Sequence, residues 1–178
     1  MPKPDFLIDL SLLNPDKPIA DIEAIRQFNP QRHEMEQLTG ILYEDPETLA
    51  CAGYKDVGHD EFWCRGHMPG MPVMPGVVQL EAIAQLSSYY SQRHDLLGAD
   101  MVGFGGVDNT RFRDVVVPGD RLILLIRFSK ARRGRMIVAD FQGIVGDKLV
   151  VDGVIRGIPL PVQSVRDHLA KRAAQNAV

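Results

Sequence analysis

This chain has little of what secreted, membrane or nucleic-acid proteins rely on. It holds two cysteines, Cys51 and Cys64, with no Cys-x-x-Cys spacing. That leaves no disulfide framework and fits two buried thiols in a reduced compartment. The longest wholly apolar run, Leu122-Ile123-Leu124-Leu125-Ile126, is far too short to cross a bilayer. Met1-Pro2-Lys3-Pro4-Asp5-Phe6 lacks the basic start and apolar stretch of a secretory signal. A net charge of -3 gives no general attraction to nucleic acid or an acidic membrane. No internal repeat, low-complexity tract or Gly-x-Ser-x-Gly elbow occurs, so a solenoid and a serine hydrolase are not indicated. A cytoplasmic protein is expected, with neither nucleic acid nor membrane insertion among its partnerships.

What is present suffices for one domain: 178 residues, 45% of them apolar, can build a core unaided. Residues 1–20 hold four prolines and little periodicity and read as an extension. Asp21 reads as the N-cap of a short helix that stops at Asn29-Pro30. Strands are expected over Ile41 to Glu44 and Thr48 to Val57. A helix is expected from Pro75 or Gly76 to about His94, with Leu97-Gly98 as its stop. Its apolar residues surround the axis, which marks a buried central helix. The serines Ser87, Ser88 and Ser91 then mark where it emerges. Four hairpin-linked strands follow, over Met101 to Val117, Arg121 to Ser129, Arg135 to Ile144 and Leu149 to Ile158. A terminal helix over Asp167 to Ala174 closes the list. Consecutive hairpins around one buried helix imply an α+β fold with an antiparallel sheet, a domain over 21–160 and a possibly helical tail over 161–178.

The richest segment is Gly66-His67-Met68-Pro69-Gly70-Met71-Pro72-Val73-Met74-Pro75-Gly76-Val77, running into Val78-Gln79-Leu80-Glu81-Ala82-Ile83-Ala84-Gln85. A proline-punctuated loop carries one histidine, and an apolar helix carries one carboxylate. Between them Pro75-Gly76 forms a helix mouth with unpaired N–H groups and the positive end of the dipole. Pro75 fixes its own φ and biases Met74 to extended backbone, so the loop is pre-shaped. Glycine at 76 permits close approach by a substrate. These are the parts for removing a proton beside a carbonyl and expelling a hydroxyl.

The same residues resemble the signature of the beta-hydroxyacyl-acyl carrier protein dehydratases. A second block agrees, Phe104-x-Gly106-Val107-Asp108-x-x-Arg111-Phe112-Arg113 followed by Val117-Pro118-Gly119-Asp120. The similarity extends from about Asp21 to Pro159, and glutamate at 81 resembles the general dehydratase branch. The resemblance implies a hot-dog fold, a long helix wrapped by a curved antiparallel sheet. It implies a dimer whose His67 and Glu81 face each other across the subunit interface, sometimes assembled as a trimer of dimers. It implies a substrate delivered on the phosphopantetheine arm of acyl carrier protein, with no metal, nucleotide or flavin. His67 is then the base and Glu81, its pKa raised by desolvation, the acid; alternatively His67 makes both transfers and Glu81 positions the water. Backbone N–H groups of Gly76 and Val77 would meet charge on the thioester oxygen. Gln85, one turn beyond Glu81, either orients it or anchors the helix. Two departures bear on the acyl tunnel. Segment 28–39 keeps only Pro30 and Arg32 of the usual stretch, and a gating aromatic is replaced by Gly103.

Other signals are weaker. Lys130, Arg132, Arg133 and Arg135 form a basic hairpin that either docks the acidic carrier or is merely solvated. His59-Asp60-Glu61 lacks further metal ligands and reads as a surface turn. Gly103-Phe104-Gly105-Gly106 imitates a nucleotide loop without a following helix. Two other functions fit the same fold: an acyl thioesterase, or a non-catalytic acyl-binding subunit.

Overall fold

The computed structural model describes residues 5–176. Six strands form one antiparallel sheet: β1 (Gly40–Asp45), β2 (Ala50–Asp56), β3 (Val102–Phe112), β4 (Arg121–Arg132), β5 (Met136–Val145) and β6 (Lys148–Pro159). Their spatial order is β1-β2-β4-β5-β6-β3. The three helices are α1 (Ile22–Arg26), α2 (Gly76–Arg93) and α3 (Val162–Asn176). The sheet wraps α2, the α+β arrangement expected from the hairpins and the single buried helix and the hot-dog fold implied by the resemblance. β3, expected to form a hairpin with β4, instead crosses over to pair with β6.

The two faces of the sheet explain its apolar run. Strand residues alternate sides. Leu122, Leu124, Ile126 and Phe128 of β4 pack in the core that holds Ile83, Leu86 and Tyr90 of α2. Leu125 belongs to a second cluster with Leu42, Ala52, Tyr54 and Ile144, and Ile123 packs against it. A strand buried on both faces reads as continuous apolar sequence.

The cover on the second face is the N-terminal extension. Ile8 is buried in that cluster, with Phe6, Leu7, Leu10 and Leu13 packed against it. The N–H of Leu7 donates to Gln142 Oε1 at 2.8 Å, the Arg127 guanidinium donates to the Leu7 carbonyl, and Ala20 bridges to Ile41. Three scattered contacts of this kind leave no periodicity for a sequence to display.

α2 does stop where expected, at Arg93 with His94 as its C-cap, because Asp95 takes a left-handed φ of 49° and the Leu96 N–H turns back to the Ser91 carbonyl. Several other boundaries differ from expectation. β3 ends at Phe112 rather than Val117, since the following segment leaves the sheet and its Val116 carbonyl accepts from the Met74 N–H. β4 runs on to Arg132, which pairs with Met136. α3 is longer than its predicted core of 167–174.

The burial of α2 is the reverse of the reading given by its polarity. Ser87, Ser88 and Ser91 are buried, whereas Val77 is 73% exposed. The serine-rich half lies deepest because the sheet wraps it, and the apolar mouth stands at the surface.

Candidate active site

The histidine loop is pinned at both ends. Trp63, 4% exposed, holds the upstream end, where the N–H groups of Gly66 and His67 turn back to its carbonyl. Met74, 2% exposed, holds the downstream end on Val116. Between them Met68 and Met71 pair their backbones around Gly70, whose φ of 76° suits glycine.

His67 is half-buried and doubly tied to Val73. Its carbonyl accepts from the Val73 N–H at 2.8 Å, and its Nδ1 lies 2.7 Å from the Val73 carbonyl. A carbonyl can only accept, so Nδ1 carries the hydrogen. In the neutral ring Nε2 then holds the lone pair, and the imidazole is set up as a base.

Pro75 is the N-cap of α2 and supplies no side-chain cap. The N–H groups of Gly76 and Val77 find no acceptor among the described residues, while those of Val78 and Gln79 reach the Pro75 carbonyl. Glycine at 76 does permit a close approach, but the visitor is Phe112: a Cβ at Gly76 would stand 2.7 Å from that ring. β3 therefore ends against the mouth of α2.

Glu81 sits one turn into α2, half-buried rather than enclosed by the helix's own apolar neighbours. In the single chain its carboxylate opens onto a cavity of about 100 Å³ between α2 and the sheet. Ala84, Phe128, Ile137, Ala139 and Ile155 give that cavity apolar walls. His67, Gly76 and Val77 lie outside its lining. One chain thus brings Glu81 to the cavity and leaves His67 on the loop.

Gln85 does both things weighed for it. Its Nε2 donates to Glu81 Oε1 at 2.7 Å and to the Met35 carbonyl at 2.6 Å, and its Oε1 accepts from the Gln37 N–H at 2.9 Å. Asn29 adds a bond from Nδ2 to the Gln85 carbonyl at 2.9 Å. The divergent segment 28–39 is therefore the bracket that holds Gln85 beneath Glu81. Sequence gave no signal for this, because the partners are backbone groups of an irregular stretch. At Gly103, the place of the missing aromatic is flanked by Leu160, 3.3 Å from where a Cβ would stand.

The weaker signals divide. Arg133 is committed to the fold: it pairs with the Asp95 carboxylate at 2.7 Å and donates to the Asp95 carbonyl at 2.8 Å. Lys130, Arg132 and Arg135 are exposed. Glu61 is no surface-turn residue, since it forms an ion pair with buried Lys55 at 2.7 Å. Among the described residues no group of three His, Cys, Asp or Glu could hold a metal ion, and no helix is long and apolar enough to cross a membrane. Cys51 is buried, which pushes its thiol well above the usual range, and Cys64 is half-buried.

Comparison with known proteins finds relatives over most of the chain. The FabA-like domain matches residues 29–153. The 3-hydroxyacyl-[acyl-carrier-protein] dehydratase FabZ of Desulfotalea psychrophila is 38% identical over 134 residues, 74% of this chain and 87% of that protein. The protein of the same name from Streptococcus gordonii is 33% identical over 135 residues, 76% and 94% of the two chains. Solved structures alike in fold include the dehydratase heterocomplex ApeI:P from Xenorhabdus doucetiae, with a TM-score of 0.66 at 13% identity over 80% of this chain and 95% of that one. Cj0977 from Campylobacter jejuni has a TM-score of 0.59 at 12% identity over 80% and 94%. With its loop, its helix mouth and its glutamate inside the matched span, and relatives aligned over most of both lengths, this chain belongs to the FabA-like domain family.

Proposed function

We propose that this chain is a hydro-lyase that converts a (3R)-3-hydroxyacyl thioester, carried on the phosphopantetheine arm of acyl carrier protein, to the trans-2-enoyl thioester and water. The observation that carries the reading is Glu81, held by Gln85 at 2.7 Å and opening onto an apolar-walled cavity. His67 Nε2 takes the C2 proton, and the electron pair left behind becomes the C2–C3 double bond. The C3–O bond breaks, and the hydroxyl leaves as water with a proton from Glu81. Gly76 and Val77 N–H groups at the helix mouth meet the charge that grows on the thioester oxygen. The reaction needs no metal, nucleotide or flavin.

A second copy of the chain completes the site. Glu81 faces the cavity without His67, so the imidazole comes from a partner whose loop covers the helix mouth. Exposed apolar residues surround that mouth: Val77, Met71, Phe112 and Val115 are each at least half exposed, and contiguous apolar surface of this kind marks an interface. Trimers of dimers are a natural further assembly. Lys130, Arg132 and Arg135 offer the acidic carrier a docking edge, and the setting is cytoplasmic lipid synthesis.

The test is formation of enoyl product from 3-hydroxyacyl thioesters, followed spectrophotometrically with wild type, His67→Ala and Glu81→Gln. Free thiol in place of enoyl product would move the assignment to the thioesterase alternative. Exchange of the C2 proton with deuterated water by Glu81→Gln, without loss of the hydroxyl, would assign the acid role to Glu81.

A further inference from the structure

The cavity beyond Glu81 is not uniformly apolar. Glu81, Ala84 and Ser88 lie on one face of α2, at i, i+3 and i+7, and all three line it. Ser88 is 7% exposed, and its hydroxyl forms no hydrogen bond among the described residues. Its neighbour Ser87 behaves as helix serines usually do and donates back to the Ile83 carbonyl at 3.0 Å. Gln31 lines the same cavity, and its Oε1 is buried with no donor. A serine hydroxyl with no protein partner and an amide side chain whose oxygen has no donor therefore line a space whose other walls are mostly apolar, with Ser87 and Arg156 also at its edge.

Resting on the dehydratase reading above, we infer that Ser88 and Gln31 select acyl chains carrying a second hydroxyl beyond the reacting carbons. A plain alkyl chain would press methylenes against both groups and keep them unsatisfied, which is the costly outcome. A hydroxyl can accept from Ser88 or donate to Gln31, whereas a keto oxygen serves only the first. Seven residues of helix separate Ser88 from Glu81, a rise of about 10 Å, which places the second oxygen on the order of eight carbons past the reacting pair. Sites that hydrogen-bond a substrate hydroxyl discriminate against the analogue lacking it, whereas added methylenes are weakly discriminated.

The experiment uses the full chain and carrier-linked or pantetheine-linked thioesters. Turnover of 3-hydroxybutyryl thioester, too short to reach Ser88, tests the dehydratase reading by itself; no enoyl product there would end that reading. Given turnover, kcat/KM is compared for two long 3-hydroxyacyl thioesters of equal length, one plain and one with a second, distal hydroxyl. The wild type should favour the hydroxylated chain by about tenfold. Ser88→Ala should bring that ratio close to one, and Ser88→Thr should restore most of it. Because each ratio is taken within one variant, partial misfolding cancels. A wild-type ratio near one, or an unchanged ratio in Ser88→Ala, would overturn the inference.

Discussion

The two halves of α2 obey opposite rules. From Gly76 to Glu81 the helix has no side-chain cap, two unpaired amides and a valine that is 73% exposed. From Ala82 to Ser91 almost everything is sealed: Ile83, Leu86, Tyr89 and Tyr90 are each 0% exposed. Polar groups in the sealed half mostly find partners. Tyr89 donates to Glu44 at 2.8 Å, Tyr90 donates to the Asp45 carbonyl at 2.8 Å, and Arg93 and His94 close on the same Glu44. A helix can thus leave its N-terminal groups free for substrate and partner because its other half is anchored by packing. On the proposed function, the division puts the reacting groups at one end and most of the anchoring at the other.

The largest separation should come from the open end. His67→Ala and Glu81→Gln should each lower kcat on the order of 10²–10⁴-fold, with melting temperatures close to that of the wild type; a matching loss of stability would merge the two regions. Leu86→Ala, in the sealed half, should cost about 2–5 kcal/mol in denaturant unfolding, with turnover per folded molecule largely kept. Gln85→Leu lies on the border and should disturb both. It frees Glu81 and strands the buried Gln37 N–H and Met35 carbonyl, for about 1–3 kcal/mol, together with a fall in kcat. Tyr89→Phe should cost about 1–2 kcal/mol and leave kcat unchanged, because Glu44 retains Arg93 and His94. The remaining effect is alkaline. Burial raises both phenols, and Tyr90 is pushed up to about 12. The folded state then holds its phenolic protons longer than the unfolded chain, so stability is full below the ordinary tyrosine value and falls as pH rises from there through about 12. Tyrosinate absorbance against unfolding free energy would measure it, and a flat stability profile over that window would refute it.

Much of this was readable from residue order. Pro75-Gly76 set the start of α2, and Asp21 is indeed a cap, its Oδ1 accepting from the Ala24 N–H at 3.0 Å. The β1–β2, β4–β5 and β5–β6 pairs followed from their turns, because hairpins are local. The β2–β4 and β3–β6 pairs did not, and β3 lies beside β6 at the sheet edge instead of forming the expected hairpin with β4. What escaped was information held in non-local packing. Serine looks the same to a sequence whether it faces water or a cavity, so Ser87 and Ser88 read as an emerging surface. Segment 28–39 looked merely divergent because it holds Gln85 mostly through its main chain, with Asn29 as the one side chain that joins in. Glu81's surroundings depended on the sheet across the cavity, not on the helix neighbours that the sequence displayed.

The extension over residues 5–20 has a practical corollary. Removing it would expose Leu42, Tyr54, Leu125 and Ile144 along a sheet face already dry in the folded protein. A truncated protein beginning at Asp21 would retain the whole FabA-like span yet carry a sticky flank. Its expected failure is precipitation during expression or storage, with loss of chemistry only as a secondary result. The segment outside the family's borders is what covers that apolar face.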